Sequence, residues 1–140
     1  MTLQSKRIVA AILAFLAAVL GVWAGGFPLS FYNDFPIGGW HWVSLLGPYN
    51  EHLLRDFGAT MLALLVFTVW AWRTPTIEKL RITGWAWLTF AVVHFLYHLL
   101  HLGVFTTAHK VGNVVTLALI LLLAVLLVMP DKRVSTKGHS

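Results

Sequence analysis

The 140-residue chain is 59% hydrophobic and 11% charged, with a mean hydropathy of +0.79, whereas soluble domains carry roughly 25% charged residues. That balance argues against a water-soluble fold, and the length holds a single domain, residues 1–140, most of it used by four spans of about 20 residues each. The net charge of +5 comes from basic residues at the ends of apolar runs rather than from a patch with interleaved aromatics, so it reads as a topology signal and not as a nucleic-acid surface.

The first apolar run, Ile8 to Phe27, follows Lys6 and Arg7 and carries no charge. Its start resembles a signal peptide, with a positive beginning and small residues near Val22 and Ala24, which leaves open whether residues 1–24 are cleaved. The run stays apolar through Gly25, Gly26 and Phe27, and that favours a retained helix. Residues 28–50 shift to Pro, Gly, Asn, Asp and aromatics and form a loop by their turn chemistry. Trp40, Trp42 and Tyr49 suit headgroup depth, and a short interfacial segment over Trp40 to Leu46 is expected.

The second span covers about 51–72 and ends at Arg73-Thr74-Pro75-Thr76, with Glu78, Lys79 and Arg81 placed in a short polar turn. The third, about 82–105, is apolar except for Thr83, Thr89 and the series His94, Tyr97, His98 and His101. The fourth, about 111–129, is the most uniformly apolar and ends at Pro130-Asp131-Lys132-Arg133. The expected fold is thus an all-α integral membrane four-helix bundle.

Short cytoplasmic loops collect Lys and Arg. Lys6, Arg7, Arg73, Lys79, Arg81, Lys132, Arg133 and Lys137 fall on one side of the four-span arrangement, leaving Arg55 and Lys110 on the other. Both termini are therefore expected in the cytoplasm, and the loop 28–50 outside. His41, His52, His94, His98, His101, His109, Glu51 and Asp56 then share the outward half, with only His139 inside.

With no cysteine, any metal must be held by nitrogen and oxygen donors. His94, His98 and His101, spaced i, i+4 and i+7, fall on one helix face beside Tyr97. If that helix ends near Phe105, His94 sits roughly 16 Å and His101 roughly 6 Å from its outer end. Ionisable groups at such depth are costly and normally face the bundle interior as pairs, ligands or proton carriers. A short turn between the second and third spans would bring His52, Asp56 and Glu51 to the same level, with Glu51–Arg55 and His52–Asp56 each at i, i+4.

The candidate metal residues are accordingly His94, His98, His101, His52, Asp56 and Glu51. Three histidines on one helix extend about 10 Å along the axis, so a pair completed by His52 or Asp56 is easier to build around one ion than all three. The donor set suits a transition metal such as Cu, Zn or Fe in a redox or metal-handling role. Two other readings stay open: a polar network that joins helices, and haem or quinone binding, with His52 or His109 facing His94 or His98. His109 and Asn113, at i, i+4, could extend the site, although a histidine at a helix start is more often solvated. Whether the protein is an enzyme is open, but hydrolase and nucleotide motifs are missing from the sequence. The expected partner is the lipid bilayer, with a homo-oligomer or a larger membrane complex, reached through the apolar fourth span, as the alternative setting.

The stretch from Trp40-His41-Trp42 through Gly47-Pro48-Tyr49-Asn50-Glu51-His52 to Arg55-Asp56-Phe57-Gly58-Ala59, with the later His94-x-x-Tyr97-His98-x-x-His101, resembles a group of small actinobacterial four-span membrane proteins. The overall shape is also similar to DoxX-like proteins, without a shared functional motif. The resemblance implies the topology and a bacterial plasma-membrane location, and it assigns no catalytic residue.

Overall fold

The computed structural model describes residues 1–131, so Lys132, Arg133, Lys137 and His139 lie outside the described residues. Five α-helices follow in order: α1 (Leu3–Gly26), α2 (Pro28–Asp34), α3 (Glu51–Arg73), α4 (Ile77–Leu100) and α5 (Thr107–Val128). All but α2 are long and apolar enough to cross a membrane, and the fold is an all-α four-helix bundle. The long helices run antiparallel in turn, giving a basic end (start of α1, α3–α4 turn, end of α5) and a histidine end opposite it.

The helix starts are set by capping side chains, not by the onset of apolar sequence. Thr2, Asn50, Thr76 and Thr106 each accept a hydrogen bond from a backbone N–H three residues on, satisfying a donor the helix itself cannot. This shifts the expected boundaries. Helix α1 begins at Leu3 rather than Ile8, α5 at Thr107 rather than Val111, and α4 at Ile77 rather than Ile82, taking Glu78, Lys79 and Arg81 out of the turn and into its first turns. At its other end α4 stops at Leu100, not Phe105, and a 3-10 turn over Leu102–Val104 follows. The loop 28–50 opens with α2, for which Pro28 supplies a preset first position, and only Ser44–Leu46 of the expected interfacial segment is helical, as a 3-10 turn.

The bundle is assembled from two close pairs, α1 with α3 and α4 with α5. Glycine makes each approach possible. A Cβ on Gly58 would run into the Gly25 backbone nitrogen, and one on Gly84 would lie 2.6 Å from the Leu127 Cβ. In lipid, where apolar burial gives helices no preference for one another over acyl chains, such close backbone contact provides the dispersion that holds them together. The pairs meet through a core of Leu13, Ala17, Met61, Leu64, Leu80, Trp87, Ala124 and Leu127. Within it Trp87 Nε1 donates to Thr68 Oγ1 (2.8 Å), which donates to the Leu64 carbonyl (2.6 Å), so the polar atoms of this contact between α3 and α4 are satisfied.

At the basic end Lys6 is fully buried. Its ammonium lies 3.0 Å from the Asp131 carboxylate and donates to the Met129 carbonyl at 2.7 Å, while Arg81 reaches the other Asp131 oxygen at 3.0 Å. One carboxylate just past α5 thereby ties α1 to α4. Lys6, which the sequence presents as a topology signal, is here also a structural cation.

Candidate functional site at the histidine end

The third-span histidines share a stripe on α4, but they meet different neighbours. His94 stacks on Phe90 of its own helix (centroids 5.1 Å apart) and Phe57 of α3 (6.0 Å). His98, one turn on, is buried. Its ring lies 4.6 Å from that of His94, edge to face, and Asn113 of α5 stands beside it. His101, at the helix C-cap, is exposed, with its Nδ1 on the Tyr97 carbonyl (2.7 Å) and its ring stacked on Tyr97 at 4.1 Å. Because α4 ends five residues earlier than the sequence suggested, His94 sits about 9 Å from the helix end, not 16 Å.

The expected convergence with the start of α3 is not what the packing produces. His52 and Asp56 pair with each other at 3.4 Å, with side chains 88% and 63% exposed. They occupy the flank of α3 turned away from the face that carries Leu54, Gly58 and Met61 into the core. Glu51 is held by Arg55 at 2.7 Å, and Arg55 also donates to the Gly25 carbonyl at 2.6 Å, closing the end of α1. Three of the six candidate residues thus lie away from the α4 stripe. Among the described residues no group of three or more His, Asp or Glu side chains is arranged to hold one ion.

The structure instead brings beside His98 a residue the sequence reading left at the edge, Asn113, and with it His109. His109 and Asn113 share a face of α5, and Asn113 is buried in the most apolar helix. Over them folds the loop after α2. Trp42 is buried and packs within 6.4 Å of both Phe105 and His109, Trp40 stacks on His109 at 4.9 Å, and Gly112 admits the Trp42 ring where a Cβ would come within 3.1 Å of it. His41 positions this roof. It takes a left-handed backbone (φ 57°) and its ring holds the Asn33 carbonyl.

Four buried polar atoms in this neighbourhood, Trp42 Nε1, His98 Nδ1, His109 Nδ1 and Asn113 Oδ1, have no hydrogen-bond partner within the protein. Leaving such groups unpaired costs about 1–3 kcal/mol each; they form a chain of neighbours, Trp42 against His109, His109 one turn from Asn113 on α5, and Asn113 beside His98. The sequence signal was present. An amide inside the most hydrophobic helix is costly enough to call for a reason.

Side by side with known protein families, curated proteins and solved structures, the chain matches none. Its fold and site define a multi-pass helical membrane protein with an imidazole–amide cluster buried at one end of the bundle.

Proposed function

We propose that the protein binds a transition-metal ion, Cu or Zn being the chemical class the donors suit, at an outward-facing site formed by His94, His98 and Asn113. The observation that carries this reading is the adjacency of two imidazoles one helical turn apart, 4.6 Å between centroids, next to a buried amide oxygen that no protein group engages. Imidazole nitrogen suits Cu and Zn, and metal–nitrogen bonds of about 2.0–2.1 Å can be made by both rings to one ion. With two imidazoles and at most one amide oxygen from the protein, a coordination position stays open, as in a site that accepts, passes on or reacts at a metal rather than one that locks it in place. The aromatic roof of Trp40, Trp42 and Phe105 lies over His109, one turn before Asn113 on α5. The bound ion would serve metal handling or electron transfer. Glu51, His52, Asp56 and His101 are not ligands in this reading.

The test is elemental analysis of gently purified protein, followed by titration with Zn and with Cu. Wild type and His101→Ala are expected to carry or take up one equivalent, and His94→Ala and His98→Ala to take up none while remaining monodisperse. A wild type that binds neither metal, or a His98→Ala variant that binds as wild type does, overturns the proposal. A second reading would then lead, that of a non-catalytic subunit of a larger membrane complex. It draws on the exposed His52–Asp56 pair, since charged side chains on the outer flank of a membrane helix are costly against acyl chains and favoured against a polar partner.

A further inference from the structure

The basic end carries a feature that neither the ion pairs nor the histidine site uses. A groove of about 530 Å³ runs along α1 beside Trp72 of α3, lined at its head by Gln4 and Arg7 and along its length by Ile8, Ala11, Ile12 and Phe15. Ala11 makes the floor shallow, while Ile8, Ile12 and Phe15 stand exposed, Phe15 by 68%. Ile8 and Phe15 are seven residues apart, about 10 Å along a helix, roughly two thirds of the half-thickness of a hydrocarbon core of about 30 Å. The apolar trough below the polar head therefore takes the upper part of an acyl chain.

The head is prepared for an anion. Arg7 donates from Nε to the Trp72 carbonyl at 3.2 Å and its guanidinium lies 5.7 Å from the centre of the Trp72 ring, so the side chain is held in place with its terminal nitrogens left over. Among the described residues Arg7 forms no ion pair, in contrast to Lys6 beside it in sequence and to Arg55 and Arg81. A guanidinium fixed at the end of an apolar trough, with an amide side chain at its rim, has the charge and shape for a phospholipid whose headgroup is anionic.

We infer that this groove is a binding site for one anionic phospholipid, its phosphate on Arg7 and Gln4 and the upper part of one acyl chain lying over Ala11 towards Phe15. A basic residue near a headgroup is worth about fivefold in affinity. The test is lipid retention by the purified full chain, read by native mass spectrometry after incubation with dioleoyl phosphatidylglycerol, dioleoyl phosphatidylcholine, or glycerol 3-phosphate as the headgroup alone. Wild type is expected to retain phosphatidylglycerol about fivefold over phosphatidylcholine and to retain no glycerol 3-phosphate. Arg7→Gln should lose the preference between the lipids. Ala11→Trp, which fills the trough without touching the charge, should lower retention of both. Equal retention of the two lipids by wild type, a measurement that needs no variant to fold, overturns the inference. So does a preference that survives Arg7→Gln, or binding of glycerol 3-phosphate as strong as that of the lipid.

Discussion

The two ends of the bundle bury polar groups in opposite ways. At the basic end the buried charge is answered: Lys6 and Arg81 share Asp131, and deeper in the core Trp87 is satisfied by Thr68. Among the described residues Arg81 Nε, Thr83 Oγ1 and Asp131 Oδ1 have no hydrogen bond there, although Asp131 Oδ1 is 3.0 Å from the Lys6 ammonium. At the histidine end Trp42, His98, His109 and Asn113 each leave a buried side-chain atom without a hydrogen-bond partner within the protein. Burying polar groups is costly in either case. The ion pairs at the basic end hold the helices together, and the polar groups at the histidine end are those the proposed metal site draws on. Substitutions at the basic end should therefore cost stability, and those at the histidine end should cost binding.

The largest effect is expected from Asp131→Ala, which leaves the Lys6 ammonium buried without its counter-charge. Removing one partner of a buried pair costs about 3–5 kcal/mol, to be read as a lowered thermal midpoint of the detergent-solubilised protein. A Lys6→Met, Asp131→Ala double variant should recover much of that loss, because no unpaired charge remains. A double variant no more stable than Asp131→Ala alone would show that the ammonium is not confined as described.

Gly58→Ala comes next. Its new Cβ would overlap the Gly25 backbone, which cannot rotate aside as a side chain would, so α1 and α3 must separate at a cost of about 1–3 kcal/mol. Gly26→Ala, where a Cβ meets nothing within 4 Å, is the control and should leave the midpoint unchanged.

Acid titration sharpens the comparison further. Hydrogen bonding from Lys6, helped by the charges of Lys6, Arg81 and the N-terminal amine, holds the Asp131 carboxyl below its ordinary 3.8. A carboxyl depressed in the folded state stabilises fully above its unfolded pKa, and that contribution fades as pH falls through the folded value. The clasp should accordingly keep its full strength from neutral pH down to just above 3.8 and weaken only below that. Thermal midpoints measured across this range should fall below it in wild type and be flatter in Asp131→Ala.

The smallest expected change in stability is at the histidine end. Asn113→Leu replaces a buried amide whose oxygen has no hydrogen-bond partner within the protein with an apolar side chain of similar size, a change that is near neutral or mildly stabilising. The midpoint should stay within about 1 kcal/mol of wild type while metal uptake weakens. A loss of stability as large as that of Asp131→Ala would instead make Asn113 part of the scaffold.

Four long helices, their antiparallel order and the α4 histidine stripe were all legible in the chain, because hydropathy over about 20 residues and a rotation of about 100° per residue are local properties. Asn50, Thr76 and Thr106 were visible as well, yet an apolar-run reading passes over caps, and so it began α4 and α5 several residues late. What the sequence could not supply was the direction in which each helix turns its polar side chains. Glu51, His52 and Asp56 lie at the level of the histidines, and only the packing of α3 on α1 through Gly58 rotates His52 and Asp56 to the outside. The closeness of α4 and α5 at Gly84 belongs to the same pairing that sets Asn113 beside His98. The roof of Trp40 and Trp42 depends on a loop folding across the ends of other helices. Which end of the bundle a residue occupies follows from position along one helix, and the sequence determined it; the exact distance of His94 from the helix end did not follow, because α4 stops at Leu100. Which groups meet follows from the rotation of each helix about its axis, set by close contacts between residues far apart in the chain, and that only the tertiary structure decided.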